Sequence, residues 1–347
     1  TENGVKRKME LTTLCYIEKD GKYLMLHRVS KKNDVNQGKW IGVGGHFELG
    51  ESPEECVLRE VKEETGLTLT GYRFRGLLTF LCDGNAAEYI CIYTADGFEG
   101  ELTACDEGKL AWIDKKEILG MELWEGDRIF HRLLEEDGPF FSLKFCYEND
   151  VLTEAWKDGK QMELLDVLNP DGTLSGRRSE RGVVHQEGYF HRTVDIWVVR
   201  KKSSGGYDIL LQKRAKEKKA YPGCYDTSAA GHVQAGDGIL ESARRELEEE
   251  LGIHAEASEL SLMGTHEAFW HDTFGGKAFH NHELSSIYLL EKEVSIEEMT
   301  LQEAEVESVC WMDLDACLEQ VKEGSRKSCL NVERLELLKK FLEQKNG

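Results

Sequence analysis

A stretch of 23 residues occurs twice in this chain and constrains its fold and chemistry more than any other feature. Both copies fit the pattern G-x5-[E/D]-x7-R-E-U-x-E-E-x-G-U, in which U is an aliphatic residue. The first copy runs from Gly45 to Leu67 and the second from Gly231 to Ile253, an offset of 186 residues. Because the pattern fixes nine positions in each copy, the 347-residue chain is expected to contain two related domains.

The second half of the first copy carries the signals of a capped helix. Ser52 can cap the helix, Pro53 suits its first turn and Glu55 completes a capping box. Gly66 can end the helix in a left-handed conformation. The second copy lacks the Ser-Pro start and has Asp237 where the first has a glutamate, so this carboxylate has a shorter reach.

Three glutamates in each copy stand at i, i+3 and i+4, which places their carboxylates on one helix face. They are Glu60, Glu63 and Glu64 in the first copy and Glu246, Glu249 and Glu250 in the second. Like charges this close repel one another, and a divalent cation among them would remove the repulsion. Oxygen ligands without Cys or His indicate Mg²⁺, with Mn²⁺ as a substitute.

The full pattern, with its glycines and arginine, resembles the Nudix box, the signature of enzymes that hydrolyse a diphosphate linked to another moiety X. Gly45 and Gly231 open the two boxes, and at these positions the backbone can approach the metal or a phosphate. The alternative for the glutamates alone is a solvated acidic helix face. The resemblance implies an α/β protein with two Nudix-type α/β/α sandwich domains, each around a mixed sheet, and Mg²⁺-dependent hydrolysis.

Composition narrows the classes of partner. A formal net charge of −21 argues against binding to a nucleic-acid polymer or an anionic membrane. Small nucleotide or diphosphate substrates stay compatible with it, because a bound metal supplies positive charge. No apolar run of the sequence approaches a transmembrane length, and the ten cysteines include no C-x-x-C pair. A cytoplasmic location with reduced thiols is therefore expected.

The repeat predicts one domain over residues 1–160 and a second over residues 161–347. Asp158-Gly159-Lys160 marks the break, because a new apolar run follows it. Trp112 and Trp311 lie at different distances after the two boxes, so the second domain carries an insertion, expected within residues 266–282. Nudix domains often pair, and the tandem arrangement is compatible with an internal pseudo-dimer or a homodimer.

Residues 9–155 resemble the MutT-type 8-oxo-dGTP diphosphatases. The resemblance rests on residues 38–45 before the box and on residues 105–107, 123–127 and 139–145 after it. It implies that Glu107 joins the metal site or the proton chemistry, that Trp124 and Asp127 hold the oxidised purine, and that Phe80 packs on the base. An indole offers a stacking face, and a carboxyl group can hydrogen-bond a purine edge.

The reaction implied is attack of water on a phosphorus of 8-oxo-dGTP, which gives 8-oxo-dGMP and pyrophosphate. Glu60, Glu63 or Glu107 would accept the proton, and the sequence leaves that choice open. Two positions depart from the mammalian enzymes, since Ile41 and Gly126 stand where those have Asn and Asp. Each lost polar group removes a potential base contact worth about 1–3 kcal/mol of discrimination.

Residues 162–345 resemble the Nudix branch close to isopentenyl-diphosphate isomerase. Residues 221–232 carry most of the resemblance, and His185 and His191 match the isomerase's paired histidines with a different spacing. Ala230 stands where the isomerase has a catalytic Cys, and an alanine cannot do acid–base work. We therefore interpret this domain as a hydrolase of isomerase-like ancestry, in which Glu246 and Glu249 are catalytic.

Further charged residues in this half have two interpretations each. Lys213 and Arg214 either contact a substrate phosphate or are ordinary charges at a strand end. Glu283 and Glu305 are candidate additional carboxylates. Glu305 is the weaker candidate, because its distance from the downstream Trp places Val306 at the position of the first domain's Glu107.

Four histidines, at positions 266, 271, 280 and 282, fall in the expected insertion and are either a second metal site or solvated residues of a substrate loop. A nucleoside diphosphate derivative, a prenyl diphosphate or another damaged metabolite would fit this half as substrate. The alternatives to a second hydrolase are an isomerase, a nucleotide sensor without turnover, and a structural scaffold.

Overall fold

The structure, a computed structural model, describes residues 9–30, 34–84, 86–136 and 138–345. The chain divides into two compact units, which we call unit 1 (residues 1–164 with 177–183) and unit 2 (residues 165–176 with 184–347). The division after residue 164 lies four residues beyond the expected break. No sequence pattern indicates that residues 177–183 group with unit 1.

Unit 1 is built on one mixed sheet. Its strands are β1 (Met9–Lys19), β2 (Lys22–His27), β3 (Trp40–Ile41), β4 (Thr68–Cys82), β5 (Ala87–Glu99), β6 (Lys109–Asp114), β7 (Phe141–Glu148), β8 (Val151–Lys157) and β9 (Lys160–Gln161). Its helices are α1 (Pro53–Thr65), α2 (Lys115–Ile118) and α3 (Glu125–Glu135). The strand order is β3-β2-β1-β5-β4-β7-β8-β9, with β6 paired to β2. The β1–β5 and β4–β7 pairs are parallel.

Helices cover both faces of this sheet because residues alternate along β1. Cys15 and Ile17 belong to one buried cluster with Val57 and Val61 of α1. Tyr16, between them in sequence, contacts α3, and its ring centroid lies 5.7 Å from that of Phe130. The sheet therefore separates α1, which carries the box glutamates, from α3.

Unit 2 repeats this plan. After β9 in the sequence, β10 (Leu164–Leu168) and β11 (Leu174–Glu180) form a hairpin that leads into α4 (Arg181–Glu187). The remaining elements are β12 (His191–Lys201), β13 (Tyr207–Arg214), β14 (Tyr225–Asp226), β15 (Ala229–His232), α5 (Ile239–Leu251), β16 (Leu260–Phe274), β17 (Lys277–Glu291), β18 (Val306–Asp313), α6 (Leu314–Glu323) and α7 (Val332–Lys345). The sheet order is β14-β13-β12-β17-β16, with β15 on β12 and β18 on β13, and β12–β17 is parallel.

Two buried clusters sandwich the second sheet. On one face, Val194 and Ile196 of β12 pack with Leu247 of α5. On the other, Trp197 packs with Leu335 of α7. The expected class, two α/β/α sandwiches around mixed sheets, is confirmed. In the part of the chain that the structure describes, none of the helices is long and apolar enough to cross a membrane.

The strand registers locate the insertion of unit 2. Thr12 and Thr193 are equivalent, because each pairs with the histidine that follows the first box glycine. Thr12 pairs with Ile90 and Thr193 with Ser285 in the parallel pairs, so Ile90 and Ser285 are equivalent. On the next strand, Ile90 pairs with Leu78 and Ser285 pairs with His266. The path between partners is 12 residues long in unit 1 and 19 in unit 2. The β16–β17 hairpin thus carries seven of the 13 residues by which the Gly231–Trp311 segment exceeds the Gly45–Trp112 segment, in the region expected from the sequence.

Candidate active sites

Local signals position the box helix of unit 1 as expected. The Ser52 hydroxyl accepts the Glu55 amide hydrogen, and the Glu55 carboxylate accepts the Ser52 amide at 2.8 Å. Gly66 ends α1 at φ 76°. In unit 2, α5 begins after Gly238 without a side-chain cap and ends at Gly252 with φ 67°. Both helices span 13 residues, so the two boxes present their glutamates on equivalent helices.

Glu64 is the buried member of the first carboxylate set. It is 8 % exposed, and its Oε2 accepts the Gly44 amide hydrogen at 3.1 Å. Burial and then the neighbouring Glu107 carboxylate raise the pKa of Glu64 to about 8. Glu107 follows Glu64 by 43 residues in sequence, and its other neighbour is the Arg28 guanidinium, with which it forms an ion pair. Glu107 therefore lies beside a box glutamate, and its part in the metal site or the proton chemistry stays a prediction.

The other two glutamates of this set contact Arg59. The guanidinium contacts Glu60 at 2.6 Å and Glu63 at 3.2 Å. It also contacts Glu51 through two nitrogens and donates to the His46 carbonyl, and it lowers the pKa of Glu51 to about 2. Arg59 thereby ties the loop before α1 to the helix face that carries the glutamates.

The first glycine of each box leaves room for a glutamate carboxylate against the backbone. A Cβ built on Gly45 would lie 2.4 Å from Oε2 of Glu60, and one on Gly231 would lie 2.1 Å from Cδ of Glu246. Each glutamate carboxylate therefore packs directly on the loop backbone. The Gly45 carbonyl accepts the Thr13 amide at 2.9 Å, and such an oxygen has a second lone pair for a metal.

Unit 2 holds its buried glutamate in the same way. Glu250 is 3 % exposed and accepts hydrogen bonds from the Ala230 amide at 3.3 Å and from Gln212 Nε2 at 3.1 Å. Burial raises the pKa of Glu250 to about 8; the Lys218 ammonium opposes this rise, whereas Glu246 and Glu305 add to it. Lys218 also forms an ion pair with Glu305. A buried carboxyl group beside a second carboxylate and a cation thus occurs in both units.

A β-bulge places Glu305 at the position equivalent to Glu107. The expectation that Val306 stands there is wrong. Leu24 pairs with Trp112 in unit 1 and Leu210 with Trp311 in unit 2, so the tryptophans are equivalent. Near the start of β18 the register shifts between Lys213 and Arg214. The extra residue moves Glu305 into the place of Glu107, while Val306 is buried in the core at 2 % exposure.

The arginine of the second box makes fewer contacts. Arg245 contacts Glu246 at 3.0 Å, Glu249 at 3.2 Å and the His232 carbonyl at 3.4 Å. The backbone amide of Asp237 closes a turn onto the Gln234 carbonyl. Within the described part of the chain, Arg245 binds the helix glutamates but has no two-nitrogen contact like that of Arg59 with Glu51.

On the opposite face of unit 1, the expected base-binding residues lie together. Phe80 and Trp124 are edge-to-face with centroids 5.4 Å apart, and Tyr147 contacts both rings. Trp124 is 4 % exposed, because Lys39 lies 4.2 Å above its ring and its Nε1 donates to Asn36. The ring is more deeply buried than the sequence context suggested, and its role as a stacking face stays a prediction.

Asp127 begins the buried side of α3, next to this aromatic group. It is 7 % exposed, and burial raises its pKa to about 7, against the opposing charges of Arg128 and Lys39. A carboxyl group with this pKa is partly protonated at neutral pH, so it can donate as well as accept a hydrogen bond. The residue before it, Gly126, has no room for a larger side chain, since a Cβ would lie 2.4 Å from the Phe145 ring.

Lys213 and Arg214 have protein partners in unit 2. Lys213 Nζ lies 2.9 Å from Glu307. Arg214 pairs with Asp226 at 2.9 Å and donates to the Ala220 carbonyl. These contacts favour the interpretation as charges at a strand end, and a contact with substrate phosphate stays a prediction. Glu283, the other candidate carboxylate, pairs with Arg334 of α7 at 3.1 Å.

The histidines that gather in unit 2 are not the four of the expected insertion. His266 lies near Arg334 and Glu333, and His282 pairs with Glu267 on the opposite strand. Among the described residues, the histidine group whose nitrogens lie within 4.8 Å consists of His185, His191 and His232. His185 and His191 carry a sequence signal as the pair that matches the isomerase, and only the positions of α4 and β15 show that His232 meets them.

Comparison with known proteins agrees with this architecture. The NUDIX domain model matches residues 9–134 and again residues 189–331. An Arabidopsis thaliana protein, Nudix hydrolase 3, is 39 % identical over 151 residues, which are 42 % of this chain and 19 % of the plant protein. An uncharacterized Nudix hydrolase of Clostridium acetobutylicum is 37 % identical over 153 residues, 44 % of this chain and 71 % of the relative.

A zebrafish (Danio rerio) protein named oxidized purine nucleoside triphosphate hydrolase is 30 % identical over 146 residues, 42 % of this chain and 92 % of the relative. Among solved structures, the MutT protein of Bacillus halodurans covers 44 % of this chain and 99 % of its own, with 27 % identity and a TM-score of 0.40. The chain spans about a fifth of the length of the plant relative. Two matches to one domain model and the paired boxes show that the chain belongs to the Nudix family, whose hydrolases act on pyrophosphate bonds.

Proposed function

We propose that the chain is a two-site, Mg²⁺-dependent hydrolase of nucleoside diphosphate derivatives. The observation that carries this proposal is a buried glutamate in each unit whose pKa neighbouring carboxylates raise, Glu64 beside Glu107 in unit 1 and Glu250 near Glu246 and Glu305 in unit 2. Buried carboxyl groups side by side are costly unless a proton or a cation neutralises them. The same arrangement in two units favours a shared chemical purpose.

The donor set fits a hard divalent cation. Glu60, Glu63 and Glu64 with the Gly45 carbonyl would hold Mg²⁺ in unit 1, and Glu246, Glu249 and Glu250 with the Gly231 carbonyl would hold it in unit 2. All are oxygen donors, as Mg²⁺ prefers, and Mn²⁺ accepts the same ligands. Bound there, the ion would supply charge neutralisation for a diphosphate and a lowered pKa for the attacking water.

The protein groups around this face have distinct roles in the proposal. Arg59 and Arg245 orient the other two glutamates of their boxes, because each guanidinium contacts both of them. Glu107 and Glu305 stand beside the buried glutamates with a paired cation, so they can accept a proton from water and transfer it onward. The product of attack on a nucleoside triphosphate at the α-phosphorus would be a nucleoside monophosphate and pyrophosphate.

For unit 1 we propose 8-oxo-dGTP as the substrate. The aromatic group of Phe80, Trp124 and Tyr147 lies next to the partly protonated Asp127, and such a carboxyl can both donate to and accept from an oxidised purine edge. The name of the zebrafish relative supports this choice. The Ile41 and Gly126 positions reduce the number of polar groups available for discrimination.

For unit 2 we propose hydrolysis of a diphosphate compound, with an isomerase and a nucleotide sensor as alternatives. Ala230 argues against the isomerase, since its backbone amide binds Glu250 and its methyl group has no proton to give. Glu246, Glu249 and Glu250 are all present, which argues against a sensor that has lost its carboxylates. The proposed partners are small molecules, together with a homodimer or internal pseudo-dimer.

The experiment that tests the two-site proposal uses Glu63→Gln, Glu249→Gln and the double variant. Phosphate and pyrophosphate release is measured on 8-oxo-dGTP, dGTP and the four common ribonucleoside diphosphates. We expect Glu63→Gln to abolish 8-oxo-dGTP hydrolysis and Glu249→Gln to abolish a separate activity. Glu54→Gln, an exposed glutamate of the same helix α1, is the matched control for the first variant and should leave the rates unchanged. Turnover that is identical in Glu249→Gln and the parent chain on every substrate would make unit 2 a sensor or scaffold.

A further inference from the structure

The longer hairpin of unit 2 places aromatic rings where unit 1 has a single one. The register that equates His266 with Leu78 also equates Ala268 with Phe80, so unit 2 lacks the ring expected to pack on a base. Beyond Ala268, the seven extra residues extend both strands. They bring Trp270, Phe274 and Phe279 to the same face of the hairpin, because residues 270, 272 and 274 pair with 281, 279 and 277.

These rings form a cluster with a loop tyrosine, which we call the ring cluster (Tyr221, Trp270, Phe274 and Phe279). Trp270 and Phe279 stack at 5.3 Å with an interplanar angle of 25°. Tyr221 approaches Trp270 and Phe274 edge-on at 5.8 and 5.5 Å, and its hydroxyl donates to Asp272 at 3.1 Å. Tyr221 is 38 % exposed and the other three rings are half-buried, so the cluster is open to a ligand.

The conformation of Tyr221 is a second, independent observation. Six described non-glycine residues have positive φ, and five of them are Asp or Asn, which tolerate this region. The sixth is Tyr221, with φ 50°. A bulky residue in the left-handed region is strained, and such strain concentrates where a side chain must be held in place for a ligand.

A continuous row of groups links the ring cluster to the second box. Phe279 stacks on His185 at 4.4 Å and 18°. His185 Nε2 lies 3.0 Å from His232 Nε2. His232 directly follows Gly231, against which the Glu246 carboxylate packs. A substrate whose diphosphate lies at the glutamates can therefore extend its other end toward the rings.

We propose that the ring cluster is the base-binding subsite of unit 2, where the rings stack on the base of a nucleoside diphosphate substrate. The inference rests on the proposed function of unit 2 and adds the residues that hold the base. Stacked rings recognise the π-face that all bases share. The cluster thus gives affinity for a base with little preference among the four.

The test uses the full chain with Glu63→Gln, so that any phosphate released comes from unit 2. Trp270→Leu and Phe279→Leu remove a ring and keep apolar bulk. Trp270→Phe and Phe279→Tyr retain an aromatic face. Phe269→Leu is the matched control, because Phe269 is 63 % exposed on the same strand and faces the other side of the hairpin, against His271 and His282. Thermal unfolding of each variant checks that the fold is intact.

Binding of ADP, GDP, CDP and UDP is measured by calorimetry in Mg²⁺, together with phosphate release. We expect each leucine variant to weaken binding of all four by about tenfold or more, with KM raised and kcat little changed. The aromatic replacements should retain most of the affinity, and the Phe269→Leu chain should match its parent. Unchanged binding in both leucine variants would overturn the inference.

Geranyl diphosphate is the competing probe, because it has an apolar chain and no planar base. If it binds more tightly than all four nucleotides and loses affinity in Trp270→Leu, the cluster takes an apolar chain and the inference is overturned. If nucleotide binding responds as expected while the Glu63→Gln chain releases no phosphate, the stacking inference holds and the proposed hydrolysis by unit 2 is wrong.

Discussion

The Glu107 side chain hydrogen-bonds the carboxyl group of Glu64, a residue 43 positions earlier in the chain, and forms an ion pair with Arg28. Two acidic groups in contact inside a protein need a proton or a cation between them. In unit 2, burial and then the charges of Glu246 and Glu305 raise the pKa of Glu250. Both sets of carboxylates are therefore candidate metal sites.

Substitution of the box glycines should damage catalysis more than stability. In Gly45→Ala and Gly231→Ala, the new methyl group would overlap the carboxylate of Glu60 or Glu246 and displace it. We expect kcat/KM of the affected unit to fall by roughly 10–100-fold, since a displacement of a catalytic group by about 1 Å has effects of this size. Gly138→Ala, at an open surface position, is the control. Full activity in the box variants would show that the carboxylates do not need this backbone contact.

The stability of the metal-free chain should depend on pH through Glu64 and Glu250. Both have folded-state pKa values raised to about 8 from an ordinary value near 4.5. Between these pH values the folded state binds more protons than the unfolded state, so stability falls as pH rises. We expect the Tm without divalent ions to drop between pH 5 and pH 8.5, and Mg²⁺ to restore it most at the high end.

Glu64→Gln and Glu250→Gln supply the variants for this measurement, since a neutral amide has no charge to bury. Each should flatten the fall of Tm with pH, whereas Glu249→Gln, on the same helix but exposed, should keep it. An equal slope in all four chains would place the pH dependence elsewhere, for example at Asp127 or Asp195, whose pKa values burial raises to about 7.

The role of Glu305 in unit 2 can be tested by comparing it with a neighbouring glutamate. Glu305→Gln should lower the unit 2 rate by about 10²-fold or more, as expected for a group that transfers a proton in the transition state. Glu303→Gln, an exposed glutamate two residues earlier, should have little effect. The same loss in Glu107→Gln for unit 1 would support equivalent roles, and a normal rate in Glu305→Gln would end the comparison between the two sites.

Glu305 also shows which features local sequence patterns do not predict. The helices α1 and α5 with their glutamates follow from local signals, because caps, glycines and the i, i+3, i+4 spacing act within one turn or two. Spacing ranks Glu305 as the weaker candidate, because one bulged residue in β18 changes its distance in sequence from Trp311. The meeting of His185 with His232 depends on how α4 and β15 pack, which no local pattern encodes.

Recognition by Asp127 should make unit 1 sensitive to pH. Its carboxyl is protonated below a pKa of about 7 and loses its donor hydrogen above it. We expect KM for 8-oxo-dGTP to rise as pH increases from 6.5 to 8.5, with a smaller change for dGTP. Asp127→Asn keeps a donor and an acceptor at every pH, so its KM should vary little over this range. A parallel pH dependence in Asp127→Asn and the parent chain would exclude this carboxyl as the titrating group.

The most direct test of the account is pyrophosphate release from 8-oxo-dGTP and from dGTP by the intact chain, with Mg²⁺ and with a chelator. The account predicts Mg²⁺-dependent release, a strong preference for 8-oxo-dGTP, and 8-oxo-dGMP as the second product. Release that continues in the chelator would contradict the proposed metal sites. An absence of release from both nucleotides in Mg²⁺ would contradict the substrate proposed for unit 1 and direct the search to other diphosphate compounds.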